Sequence, residues 1–564
     1  MENVIKHKYI ILGGGPGGLQ LAYYLQKQNA DYLVLDRADV PGSTFQTFPR
    51  HRTLISINKR FTGSDHPEFN MRHDWNSLLC DDEFRFSQYD KMFFPNADNL
   101  VTYMADYVER FQLNLRYQTS IVKIERDQGV YHLTTDDGQK LECEVLIVAT
   151  GVSKANIPMI KGIENTENYT DMSLDLDTFE NQRVLIIGKK NSAFETADHI
   201  VSSASMIHLC SPQSIKMAWK THYVGDLRAI NNNVLDTYQL KSQNAILDAN
   251  IIEIEAIDGN FVVTFQYGHA EGEIEKITYD RVLCCAGFKF DSDIFADTAN
   301  PELMYHGKYP ALNPNFESVN CPNMFFAGTI THSLDYRKAT SGFIHGFRYN
   351  SRALGKLLLE RFENVAQDKS IFPLDAEQIT EHLLYRVNHS GGLWQQPGFI
   401  ADVAVRVGDE FVYINELPKD YIAKNIFDGS SDLYLLTLEY GAPIVGDPFA
   451  VERIHRENVD QAEASQFLHP VVRRYYNGVL VARHDVIEDL ESKWVEPEHF
   501  EPLVAFFDNQ LANDEPQEEY MEMMYSQDHG EVTIASEMTT AKEVAMTAEA
   551  TMAKGMKTEE AEMA

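Results

Sequence analysis

The chain has 564 residues, 84 of them Asp or Glu against 49 Lys or Arg, for a formal charge of −35. A surface this acidic repels phosphate backbones and anionic lipid, which excludes nucleic-acid and membrane-surface binding as first readings. The 44% share of hydrophobic residues is enough for packed cores, and at roughly 100–200 residues per domain the length predicts three or four of them.

In chain order, the first predicted unit is a strand over Tyr9–Leu12, a glycine turn over Gly13–Gly18, a helix over Leu19–Gln28 and a strand over Tyr32–Asp36. Residues 41–95 are rich in aromatic, Arg and Asn residues without clean periodicity, and read as an excursion over a site. Leu100–Phe111 has helical spacing, and residues 113–149 read as hairpins ending in a buried strand, Val145–Ala149. A second strand, turn and helix follow at Val184–His199. Residues 250–290 return to strands, Met324–Ala327 is a short apolar strand, and Gly342–Leu359 is helical in pattern. Phe372-Pro373 is read as a linker to a mixed segment, 374–510. Residues 511–564 hold 13 acids, 3 lysines and 8 methionines, a composition that cannot readily bury a core.

The first turn contains G-x-G-x-x-G at Gly13, Gly15 and Gly18, with Pro16 and Gly17 between. Such a turn lets a backbone approach a pyrophosphate at a helix N-terminus, and Asp36 at the end of the next strand can accept ribose hydroxyls. With strand, helix and acid all in place the motif is specific. Arg37 follows as a further contact. The second turn, Gly188-Lys189-Lys190-Asn191-Ser192, repeats the plan with Lys190 at the second glycine position. No acid ends the strand after it, and Lys216 and Lys220 lie beyond, which favours NADPH over NADH. An alternative is a retained fold with weakened nicotinamide binding.

Two such units, with Ala149-Thr150-Gly151 leaving the first, resemble the two-dinucleotide-binding-domain flavoproteins. The resemblance implies FAD on the first unit, NAD(P)H on the second, and a closing flavin segment at Phe325–Thr329, with Gly328 and Thr329 near the cofactor. Phe94–Phe111 and Leu54–Lys59 resemble segments of class B flavin monooxygenases, and by that match Asn58 lies beside the flavin C4a edge. The F-x-G-x-x-x-H fingerprint of that class is missing from residues 160–172. Its letters recur as Phe326, Gly328, His332 and Tyr336, a position that belongs to the closing flavin segment. The disulfide-reductase branch requires a dithiol, and the adjacent Cys284-Cys285 pair reads as buried and structural.

Longer strings are more specific: Pro49–Arg60, Phe69–Leu78, His222–Asn232, Asp335–Lys338, Phe343–Tyr349, Leu438–Gly441 and Phe467–Pro470. They resemble the FAD-dependent oxidoreductase domain-containing protein 2 family over roughly residues 5–510. The fold expected is α/β, two Rossmann-like domains plus a mixed C-terminal extension. The divisions are 1–155 and 291–370 for FAD, 156–290 for NAD(P)H, 371–510 for the extension and 511–564 for the tail. The function expected is a flavin monooxygenase that oxidises a small substrate through a C4a-peroxyflavin, the substrate class being an amine or amino acid. The alternative is a non-oxygenating flavin reductase or a flavoprotein component of an assembly. Asn58, Arg60 and His222 are the catalytic candidates. Arg52, Arg72, Arg228 and Arg337, with His51 and His73, are candidates for gripping an anion and moving protons.

The partners expected are a small-molecule substrate, no nucleic acid and no membrane, with a homo-oligomer left open, and no metal is implied. Six cysteines without a C-x-x-C pair, no apolar run of about 18 residues and no secretion or retention signal lead to the expectation of a reducing cytoplasm.

Overall fold

The computed structural model describes residues 4–238, 243–425, 432–441, 444, 446–447 and 449–512. The acidic tail expected over 511–564 lies, from residue 513 on, outside the described residues. The architecture is the expected α/β one, built on three larger sheets.

In the first sheet Ile5–Leu12 pairs in parallel with Tyr32–Leu35 on one side and Lys140–Val148 on the other. Its last four residues are all buried, as for a strand covered on both faces. Tyr9 and Ile11 pack with helix α1 (Pro16–Lys27) in one core, and Ile10 and Leu12 face a second core. Lys140–Val148 is shared. Its first half pairs antiparallel with Val130–Thr135, and its second half pairs in parallel with Met324–Phe326. That late strand returns the chain to the first sheet after an excursion through the second.

The second sheet places Arg183–Ile187 between Met206–Ser211 and Arg281–Cys284, both parallel to it. Helix α2 (Asn191–Ile200) follows the second turn. Gly188 has φ +132°, and a Cβ there would lie 2.5 Å from the Cys285 carbonyl oxygen, so the turn needs glycine.

Helix α3 (Ile344–Glu363) begins beside the first glycine turn and packs along α1. Beyond it, Phe372-Pro373 is not a free linker. It lies in a strand, Ser370–Pro373, paired antiparallel with Glu410–Pro418. That strand edges a six-stranded antiparallel sheet packed against helices Ala376–His389 and Pro497–Ala512. Proline is tolerated on an edge strand, and for that reason its presence alone does not mark a linker. Buried charge joins the extension to the body: Arg352 pairs with Glu416 and Glu68, and Arg386 with Asp402 and Glu416. The flanking arginines hold the Glu416 carboxyl well below its usual range despite burial.

Candidate active site

A cleft of about 510 Å3 opens where the two dinucleotide units meet. Its floor is the first turn, with Gly13, Gly15, Pro16 and Gly17, and its edge carries Asp36, Arg37, Thr150 and Gly151. Gly328 and Thr329 reach it from the returning segment, and Asn191 and Ser192 from the second unit. Of the remaining residues chosen from the sequence, Gly18, Gly188 and Lys190 do not line it.

The turn explains its own composition. A Cβ on Gly18 would lie 2.1 Å from the Gly13 carbonyl oxygen, and one on Gly17 would lie 2.4 Å from Gly328 Cα, so both positions exist for close packing. A Cβ on Gly15 would meet nothing within 4 Å, because that face borders open cleft. The N-cap of α1 is Gly15, without a side-chain cap and without an acid in the first turn, which leaves its backbone N–H groups for an anion. The N-terminus of α3 is likewise uncapped by a side chain, and Phe343, Ile344 and His345 line the same cleft. Gly14 donates its N–H to Asp36 Oδ2 at 2.7 Å and Ala38 donates to Oδ1 at 2.8 Å. These two bonds fix the carboxylate and leave lone pairs for a diol.

Several lining groups were not picked out from the sequence. Glu195, one turn along α2 from Asn191, is buried in the cleft and accepts a hydrogen bond from the Tyr169 hydroxyl. The Arg50 N–H in turn donates to that hydroxyl at 3.1 Å. Burial pushes the Glu195 carboxyl up to about 7, and burial also raises the Tyr169 phenol, which keeps its proton. His345 is buried with both ring nitrogens unpartnered, between Trp75 (centroids 4.2 Å apart) and Phe343 (5.7 Å). Burial holds the His345 imidazole neutral.

Residues 10–328 match the family model described as pyridine nucleotide-disulphide oxidoreductase. The FAD-dependent oxidoreductase domain-containing protein 2 of Mus musculus is 36% identical, over 90% of this chain and 84% of that protein. Its counterpart in Danio rerio is 35% identical over 91% and 84%. Senecionine N-oxygenase of Tyria jacobaeae is 22% identical over 56% of this chain and 66% of its own. The chain belongs to the FAD-dependent oxidoreductase domain-containing protein 2 family. It is a flavoprotein oxidoreductase.

The residues present in this member of the FAD-dependent oxidoreductase domain-containing protein 2 family fit FAD. The open face above Gly15 and the bare N-terminus of α1 suit a pyrophosphate, Asp36 suits a ribose, and the α3 N-terminus suits the electron-rich end of a flavin ring. The displaced fingerprint letters also fall into place. Met324–Phe326 pairs with the first sheet, Gly328 abuts Gly17, and His332 is buried with Nδ1 2.9 Å from Asp335. Cys284 and Cys285 are buried on their strand and neither lines the cleft.

The three catalytic candidates lie outside the cleft lining. Asn58 does not line the cleft. Its amide nitrogen donates to the Asp90 and Met92 carbonyls at 2.8 and 3.3 Å, so it ties two loops together. Asn58→Ala is expected to cost about 1–2 kcal/mol, read as a lower urea midpoint, with flavin retained. Arg60 is exposed over the Phe61 ring, 5.2 Å away. His222 lies outside the cleft lining, exposed, at φ +55° against the Tyr440 ring. Other candidates are structural: Arg72 donates to the Val387 and Ser390 carbonyls, and Arg52 to the Phe45 carbonyl and Asp98. The His51 ring packs on His199 at 4.3 Å, and His73 lies against Phe69. The Arg228 guanidinium lies 5.1 Å over the ring of Trp75, which lines the cleft.

Proposed function

We propose that this oxidoreductase is an NADPH-consuming flavin monooxygenase acting on a small substrate. The observation that carries the reading is that Asn191, Ser192 and Glu195 of the second unit line the same cleft as the first glycine turn. A nicotinamide delivered by the second unit then meets the site that suits FAD, and bound FAD supplies the redox-active ring. The named activity of the senecionine N-oxygenase relative supports oxygenation as the outcome.

The roles of this chain's residues follow from the geometry. The α1 and α3 N-termini hold and orient the flavin. Phe343, Trp75 and His345 stack into an apolar wall that keeps water from the ring. Tyr169 keeps its proton and directs it to Glu195 Oε1. Glu195 carries a proton near neutral pH at the junction of the two units.

NADPH is favoured over NADH by a cluster of cations near the second turn. Lys190 and Arg337 each lie 3.2 Å from the one Asp226 carboxylate and within 5.7 and 5.3 Å of the Tyr223 ring centroid. Lys308 sits close to both, pushed down to about 8 by burial first and then by these two charges. Lys190→Ala or Arg337→Ala is expected to raise KM for NADPH roughly tenfold and to leave KM for NADH nearly unchanged in steady-state assays.

Oxygenation is tested by reducing the protein anaerobically with NADPH and mixing it rapidly with O2. A delayed, two-phase return of oxidised flavin is expected. Single-phase return with stoichiometric peroxide release would favour the non-oxygenating reductase.

A further inference from the structure

A second cavity, of about 440 Å3, lies between the last turn of α1, the later half of α3 and the loop over residues 79–85. Its apolar wall includes Tyr23, Tyr24, Met71 and Leu359. Its charged groups are mostly paired among themselves. Lys27 meets Asp81 at 2.5 Å, and Arg352 meets Glu68 at 3.4 Å and also Glu416. Asp368 is exposed at the rim.

Two cations make no direct ion pair. Among the described residues Arg85 makes no ion pair. Its Nη1 reaches only Cys80 Sγ at 3.4 Å and the Phe84 carbonyl at 3.5 Å. Lys356 likewise has no carboxylate partner and donates to the Asn415 carbonyl at 2.8 Å. In addition, Arg352 Nε is buried without a hydrogen-bond partner. Burial lowers the Lys356 ammonium to about 8, a cost that a bound anion would reverse. Asp74 attracts Arg85 and Glu416 attracts Lys356 at longer range, but neither cation has a direct ion pair, in a chain carrying −35 where carboxylates are abundant.

We propose that this cavity is a second ligand site, for a small organic anion whose oxyanion head is held by Arg85 and Lys356 and whose apolar or aromatic body rests against Tyr23, Tyr24 and Leu359. It is separate from the flavin cleft, with which it shares only the two helices.

The test is calorimetric titration of the FAD-loaded protein with benzoate and, separately, with phenyl phosphate. Saturable binding of at least one probe is expected, the stronger one distinguishing a carboxylate from a phosphate ligand. Arg85→Gln and Lys356→Met should each weaken it about tenfold or more, with unchanged flavin content and NADPH turnover. If the variants fail to fold, the wild type decides. An amine-reactive reagent should label Lys356 in the free protein and fail to do so with the probe bound. Failure of both probes to bind, equal binding by the variants, or unprotected Lys356 would overturn the site.

Discussion

Gly15→Val is expected to give a folded protein that purifies without its yellow colour. Gly15 has extended backbone angles, φ −79° and ψ 178°, which valine adopts without strain. A Cβ there meets no atom of the protein within 4 Å, so the fold has room for it. The room belongs to the cleft, at the point where α1 offers its free N–H groups. A branched side chain there keeps a pyrophosphate from at least two charge-assisted hydrogen bonds, each worth about 1.5–3 kcal/mol. FAD affinity should fall by at least about hundredfold, measured by fluorescence titration of the apoprotein. The contrast is Gly18→Ala, where the Cβ would lie 2.1 Å from the Gly13 carbonyl oxygen. That substitution should lower the thermal midpoint itself. If Gly15→Val retained flavin at wild-type affinity, the first turn would not be the pyrophosphate site.

The second large effect concerns Glu195. Its carboxyl, raised to about 7 by burial, is mostly protonated below pH 7 and becomes a buried carboxylate above it. A neutral acid is compatible with two polyanionic cofactors in one cleft, whereas a carboxylate repels them. A unit charge at close range in a partly buried site is worth a few kcal/mol at most. KM for NADPH should therefore rise on the order of tenfold as pH passes upward through about 7. Glu195→Gln removes the ionisation and keeps the shape, so its KM should stay flat and low over the same range. If the two proteins gave the same pH profile, Glu195 would not be the titrating group.

The elements that were legible in the sequence are those in which one residue type is forced by the backbone. Gly13, Gly17, Gly18 and Gly188 each face a carbonyl or another backbone at a distance that only glycine allows, and Asp36 ends a strand whose register is set by burial. The excursion over 41–95 was legible as site-covering, since Phe45, Phe48, Leu54 and Trp75 do line the cleft. Side-chain direction within it was not. Asn58 follows Ser56, which lines the cleft, by two residues, yet its amide turns to the Asp90 and Met92 carbonyls. Nothing in a string of irregular backbone fixes which way a side chain points. Glu195 had a usable signal, four residues after Asn191 and therefore on the same helix face. The stack of Trp75 on His345 joins residues 270 positions apart and leaves no local trace. The Arg and His strings were recognisable as unusual, but most serve as fasteners, as Arg72 does by gripping two carbonyls of the extension.

The shared strand Lys140–Val148 has a consequence for how the molecule is made. Its second half pairs with Ile5–Leu12 on one side but lacks its other partner until Met324–Phe326 exists, and the cleft lacks a wall until Gly328–Phe347 has followed. During synthesis the first glycine turn emerges early but has no site to complete for more than three hundred residues. Flavin capture is therefore a late event on the nascent chain. Chains truncated before Met324 should accumulate as apoprotein with the edge of the first sheet open to pairing with other chains.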